Sequence, residues 1–322
     1  MIQTSYYAPI QSELLEVDNL MRVQANDYHP DLQKALDIIL SSGGKRIRAA
    51  ITLLIGKMLG ADRSLNILLA SAIELLHTAT LVHDDLIDGA LLRRGTPTLN
   101  SQWSPGATVL TGDFLFARAA KLAADTKNTE VIRIFSETLG IIVNGELAQL
   151  FSRRFLADRT IYQNRIYAKT ASLFETCGRT AAILSNASSD VVENMAQFGK
   201  SIGISFQIVD DILDFKGEQV TLGKPVGSDL RQGLITLPAL YYLQDHPRDP
   251  NVAALLSAKC LEDETQTKEL INAIINSDSI SKAYDEAVVH VDDAVRYLSA
   301  LPADVCRDSL EGLAKYIVSR NL

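Results

Sequence analysis

The chain has 322 residues, 47% of them hydrophobic, and a formal net charge of −8. Such a composition supplies a sizeable core and excludes a disordered chain, while the acidic balance excludes nucleic acid as the main partner, which demands a concentrated basic surface. Three widely spaced cysteines, Cys177, Cys260 and Cys306, form no paired metal motif and fit a reducing, cytoplasmic compartment. The N-terminal Met1-Ile2-Gln3-Thr4-Ser5 lacks a basic region leading into an apolar core, so the expectation is a chain that starts as mature protein.

In chain order, Ser41-Ser42-Gly43-Gly44-Lys45-Arg46-Ile47-Arg48 opens an apolar run of helical character. Paired glycines at a helix start expose backbone N–H groups that suit an anion, and Lys45 and Arg48 are expected on one helix face. The spacing of a P-loop is not met, and alone the segment reads as a solvated basic helix start.

Ser64 is the expected N-cap of the next helix, because Leu65, Leu69, Ala72, Ile73 and Leu76 then recur at helical steps. Glu74 interrupts the apolar run from Leu65 to Leu81, so no stretch is expected to reach bilayer length and any membrane contact is peripheral. The helix delivers Asp84-Asp85-Leu86-Ile87-Asp88 at its end. Gly89 is a stop signal, and Arg93-Arg94-Gly95-Thr96-Pro97 reads as a loop. No proline lies between Pro105 and Pro225, which leaves room for long helices. The apolar run Phe198 to Val209 then leads into Asp210-Asp211-Ile212-Leu213-Asp214, followed by Gly217, Gly223, Lys224, Pro225 and Gly227. No alternating strand pattern, hairpin signal or fixed-period repeat is evident, and no composition shift marks a linker. The expectation is an all-α protein with residues 1–322 forming one domain.

The two acidic segments are copies of one pattern. Positions i, i+1 and i+4 of a helix fall within an arc of about 100°, so each triplet points three carboxylates the same way. Like charges on one turn repel unless a cation screens them. Asp292-Asp293 is an internal control: Arg296 stands where a third carboxylate would be, and an i, i+4 Asp/Arg pair is an ordinary surface feature. Calcium-loop spacing is absent, so Mg²⁺ held by carboxylates together with substrate phosphates is the better reading. Such a site calls for separate phosphate-binding cations, and Lys45, Arg48 and Arg93-Arg94 supply candidates.

Taken together, Gly43-Gly44-Lys45-Arg46-Ile47-Arg48, His77 through Asp88 with Arg93-Arg94-Gly95, Gly112-Asp113-Phe114-Leu115, Lys169-Thr170, Phe206-Gln207 through Asp214, and Gly223-Lys224 strongly resemble the trans-type isoprenyl diphosphate synthases. The register covers most of the chain. The resemblance implies a bundle of long helices around a deep central cavity, the isoprenoid synthase fold, in which an allylic diphosphate is elongated head-to-tail by isopentenyl diphosphate. It implies that Asp84, Asp85, Asp88, Asp210 and Asp211 hold three Mg²⁺ ions on the allylic diphosphate, with Asp214 in support. By the same resemblance Arg93, Lys169 and Lys224 stabilise the departing diphosphate, and Lys45, Arg48, His77 and Arg94 bind that of isopentenyl diphosphate. Thr170 and Gln207 hold the allylic cation through oxygen dipoles. Homodimerisation follows from the family only. His83 has no assigned role and is expected to pack. Leu234 stands where many relatives carry a lysine, so a phosphate contact is lost there.

The residues upstream of the first cluster bear on product length. Farnesyl and many geranylgeranyl synthases close their cavity with bulky aromatics four or five positions upstream, where this chain has Thr80 and Ala79. Ile73, about 16 Å along the axis from the cluster, is a candidate for deeper wall. The expected product is longer than geranylgeranyl, in the hexaprenyl to octaprenyl range, made from a farnesyl or geranylgeranyl primer. The alternatives are a geranylgeranyl or farnesylgeranyl synthase, a regulatory subunit of a heteromeric synthase, and a class I terpene cyclase. A regulatory subunit normally loses one cluster, and a cyclase usually carries an Asn/Ser/Glu second motif.

Overall fold

A computed structural model of the protein describes residues 6–41, 43–93, 95–152, 156–216, 225–256 and 264–320. Its elements are α1 (Gln11–Arg22), α2 (Pro30–Ser41), α3 (Ile47–Leu59), α4 (Arg63–Ile87), strands β1 (Leu92–Arg93) and β2 (Thr96–Pro97), α5 (Leu99–Gln102), α6 (Pro105–Asp125), α7 (Thr129–Phe151) and α8 (Arg159–Ile166). A π-helical turn (Tyr167–Ala171) follows, then α9 (Ser172–Leu184), α10 (Ser189–Lys216), α11 (Ser228–Arg231), α12 (Leu237–Asp245), α13 (Pro250–Leu256), α14 (Glu264–Ile275), α15 (Ser279–Ser299) and α16 (Val305–Ser319). The proline-free stretch holds the long helices from α6 to α10, and Pro105 opens α6 at its first position, where its missing N–H costs nothing. The fold class is all-α, as the sequence predicts.

The chain divides into two compact units, each built from separate stretches. The first takes Met1–Leu139, Leu173–Gly199 and Tyr297–Leu313. Its axis is α4, packed against α1, α3 and most extensively α6. Leu69, Ala72, Ile73 and Leu76 are fully buried, so the predicted periodicity marks a real core face. Between Arg63 and Asp84 the helix carries a single charged residue, Glu74. Contrary to expectation, it passes the length and composition test for a bilayer span, yet 72% of its most apolar window is buried inside the protein. Glu74 is itself buried, and one charged residue does not end an apolar run of this length.

Local detail corrects two further expectations. The α4 N-cap is Asp62, whose carboxylate accepts from Leu65 N at 3.0 Å, and the Ser64 hydroxyl donates to that same carboxylate. The segment read as a loop is a tight antiparallel hairpin pairing Leu92 with Pro97 and Arg93 with Thr96. Gly95, at φ +76°, permits the reversal, and two-residue strands are too short to leave an alternating pattern. Arg296 pairs with Asp293 at 2.9 Å on the surface, in keeping with the ordinary surface feature expected there.

Two glycines sit where one helix lies close against another. A Cβ on Gly112 of α6 would clash with the His83 imidazole of α4, and one on Gly178 of α9 would run into the Met195 carbonyl of α10. The second unit takes Gly140–Ser172, Lys200–Arg296 and Ala314–Leu322. In it, Ser205 Oγ donates to Ala287 O at 2.9 Å, tying α10 to α15, and Glu286 of α15 gathers Arg159 of α8 and Tyr241 of α12. Since the Met195 carbonyl is backbone and cannot swing away, Gly178→Ala is expected to lower stability by about 2 kcal/mol in urea denaturation.

Candidate active site

Each unit carries one acidic turn. In the first, Asp84 and Asp85 lie in the last turn of α4 and Asp88 is its C-cap. Asp85 is buried, Asp84 half-buried and Asp88 exposed. The hairpin brings Arg93 back onto Asp85 in a fork: Nε lies 2.9 and 3.0 Å from the two carboxylate oxygens, and Nη2 lies 2.8 Å from Oδ1. Thr98 locks that return by donating from Oγ1 to Ala90 O at 2.7 Å. Next to Asp84, His83 Nε2 sits 3.1 Å from Val109 O and 3.5 Å from Asp113, its ring tilted over Phe116. His83 packs, as expected, and it does so against α6.

The basic segment sits at the start of α3. That helix begins at Ile47, so Lys45 precedes it and does not share a helix face with Arg48 as predicted. Gly43 and Arg46 both have left-handed backbone, φ +69° and +47°, and Lys45 between them is exposed. Arg48 is buried, its guanidinium 4.4 Å from the Phe174 ring centre, a cation–π stack. The helix start is pinned by two residues that spacing did not flag. Glu74 accepts from Ala49 N at 3.0 Å and pairs with Arg46 at 3.6 Å, while Arg46 also meets Asp18 at 2.8 Å. The only trace of this in the sequence is a carboxylate in an apolar run. His77 is half-buried, Ile73 and Ala79 are fully buried, and Thr80 donates from Oγ1 to His77 O at 2.7 Å.

In the second unit α10 carries Asp210, Asp211 and Asp214. Asp210 accepts from Arg320 Nη2 at 2.7 Å, and that guanidinium also stacks 3.8 Å from the Phe206 ring centre. Asp211, buried, has Tyr162 Oη donating to Oδ2 at 2.8 Å and Gln207 Nε2 to Oδ1 at 3.0 Å. Thr170 Oγ1 in turn donates to Gln207 Oε1 at 2.6 Å. The Asp214 carboxylate accepts from the N–H groups of Ser228 and Asp229 at 3.2 Å, capping α11. The π-helical turn exposes Lys169, which pairs with Glu146 at 3.1 Å, and buries Thr170, the kind of local widening that recurs at functional sites. Arg94 and Lys224 lie outside the described residues. Leu234 is half-buried.

These turns suit a hard divalent cation, since every side-chain donor they offer is a carboxylate oxygen. Burial, and then the Asp229 charge, push the Asp211 carboxyl up to about 7 against the donation from Gln207 and Tyr162. A cation beside Asp211 would favour its charged form against that burial. Among the described residues no three acidic, histidine or cysteine side chains converge on a closed metal cage. Open sites completed by substrate phosphates are the ordinary arrangement for Mg²⁺.

Residues 29–275 match the family model for polyprenyl synthetase. The chain belongs to that family. It is 38% identical to a prenyl transferase of Synechocystis sp., with 98% of each chain covered, and 38% identical to heptaprenyl diphosphate synthase component 2 of Geobacillus stearothermophilus, again over 98% of each. The structure superposes with a TM-score of 0.91 and 31% identity on a polyprenyl synthase of Caulobacter crescentus complexed with calcium and isoprenyl diphosphate, covering 99% of this chain and 98% of that one. The protein is thus a prenyltransferase of the trans-isoprenyl diphosphate synthase family with the isoprenoid synthase fold.

Within this synthase Tyr162, Glu146, Glu74, Arg46 and Arg320 were not distinguished by spacing, because each acts through a partner far along the chain. Glu74→Ala is expected to lower stability by about 2 kcal/mol in chemical denaturation, since it leaves a buried α3 N–H without its acceptor and opens a cavity in α4, while Arg46 keeps Asp18. Glu74→Gln is expected to cost less, its amide oxygen still accepting from Ala49.

Proposed function

We infer that this synthase condenses an allylic diphosphate, farnesyl or geranylgeranyl, with isopentenyl diphosphate, giving a product in the hexaprenyl to octaprenyl range. The observation that carries the reading is the pair of acidic turns, each with one buried carboxylate already fixed by the chain's own donors. Asp84, Asp85, Asp88, Asp210 and Asp211, with Asp214 in support, hold Mg²⁺, three ions by family precedent. When bound, Mg²⁺ neutralises the charge that builds on the departing diphosphate. Lys45, Arg48, His77 and Arg94 bind the diphosphate of isopentenyl diphosphate.

Arg93, Lys169 and Lys224 meet the leaving group. A guanidinium carries five N–H donors, so Arg93 serves a phosphate oxygen while keeping Asp85 oriented. The allylic C–O bond breaks with its electron pair leaving on diphosphate. The isopentenyl double bond attacks the cation, and a proton is lost to the diphosphate, while Thr170 and Gln207 present oxygen dipoles to the cation. Ala79 and Thr80, small where shorter-chain synthases place aromatics, support a long product, and the heptaprenyl name of the Geobacillus relative agrees with the range. We place the enzyme in the cytoplasm as a homodimer, with peripheral membrane contact at product release. That relative is called component 2, which favours as second reading a requirement for a non-identical subunit.

Incubation with Mg²⁺, farnesyl diphosphate and labelled isopentenyl diphosphate should give elongated product by chain-length analysis, and chelation of the metal should abolish it. No product, with no added partner able to restore it, sinks the reading. Ala79→Phe should shift the distribution to shorter chains, and an unchanged product length would remove Ala79 from the cavity.

A further inference from the structure

Asp211 differs from the other carboxylates of its turn. It is buried, and both of its oxygens accept bonds from neutral side-chain donors, Tyr162 on one side and Gln207 on the other, at 2.8 and 3.0 Å. A carboxylate offers about four lone-pair sites. One bond on each oxygen fixes the plane of the group and leaves the remaining lone pairs aimed in a set direction. Both donors are themselves held. The Tyr162 ring is buried beneath Arg165, whose guanidinium lies 5.6 Å from the ring centre and donates to Ile235 O at 2.7 Å. The Gln207 amide is oriented by the 2.6 Å bond from Thr170, because a hydroxyl donor on Oε1 fixes which end of the amide faces Asp211.

We propose that Tyr162 and the Thr170–Gln207 pair form a clamp of positioning residues that sets the direction in which Asp211 meets a divalent cation. The clamp gives Thr170 and Gln207 a task beyond facing the allylic cation, and gives Tyr162 one that the motif pattern does not assign. It rests on the reading of Asp211 as a metal-holding carboxylate. Partners behind a metal ligand orient it, and their loss typically costs about 10–100-fold in affinity. Orientation also matters unequally between ions. Mg²⁺ demands near-ideal octahedral geometry, whereas Ca²⁺ accepts irregular coordination.

The test is calorimetric titration of the full chain with inorganic diphosphate plus Mg²⁺, repeated with Ca²⁺, for the parent protein and Tyr162→Phe, which removes only the hydroxyl. The expected result is about a tenfold loss of Mg²⁺-dependent binding and a loss of about threefold or less with Ca²⁺. An equal loss for both ions, or none, overturns the clamp. If Tyr162→Phe fails to fold, Thr170→Val reads the same carboxylate through its other oxygen, and the same absence of Mg²⁺ selectivity in that variant overturns it. A parent protein with no metal-dependent diphosphate binding removes the functional reading itself, and the clamp with it. Normal parent binding with an unaffected variant removes the clamp alone.

Discussion

The constraint on which the structure turns is the confinement of like charge. Three carboxylates in one helical turn, twice over, repel one another and cannot be left to side-chain chance. The chain answers with donors of different kinds. Asp85 receives the fork of Arg93, Asp211 the neutral clamp of Tyr162 and Gln207, Asp214 the backbone N–H groups of α11, and Asp210 the guanidinium of Arg320. These bonds hold the carboxylates in place without cancelling all their charge. Asp211 shows the balance, because among the described residues its side-chain donors are the neutral Tyr162 and Gln207, and burial drives its carboxyl upward.

Charge also organises the packing behind the first turn. Glu74 sits in the apolar middle of α4, where an unpaired carboxylate would be costly, and is satisfied by Arg46 and by an N–H of α3. One buried group thereby fixes the start of the helix that bears Arg48. A few residues along α4, Gly112 lets α6 close on His83 beside Asp84. Small residues and buried ions thus act on the same helix, one by allowing close approach and the other by fixing register. Family membership follows from motifs in register, whereas the chemistry depends on how such contacts orient them.

Much of this was legible in the sequence. The all-α class, the placement of both acidic turns in the last stretches of long helices and the burial of Leu69, Ala72, Ile73 and Leu76 follow from the 3.6-residue period and the proline-free stretch. The departures are local or long-range. Asp62 displaced Ser64 as N-cap by two residues, a scale at which propensity does not discriminate between good capping residues. The hairpin at Arg93 was too short to show alternation, and Lys45 fell outside α3 because left-handed backbone at Gly43 and Arg46 delays the helix.

By itself the sequence determined which residues share a helical turn, and so that Asp84, Asp85 and Asp88, and likewise Asp210, Asp211 and Asp214, lie close together. That is a local property, set by the angle between successive residues. Only the tertiary structure decided which donors hold each carboxylate. Tyr162 reaches Asp211 from 49 residues away and Arg320 reaches Asp210 from 110, separations over which no periodicity carries information. Partners of that kind are chosen by how distant elements pack, and packing depends on the shape and volume of every side chain between them.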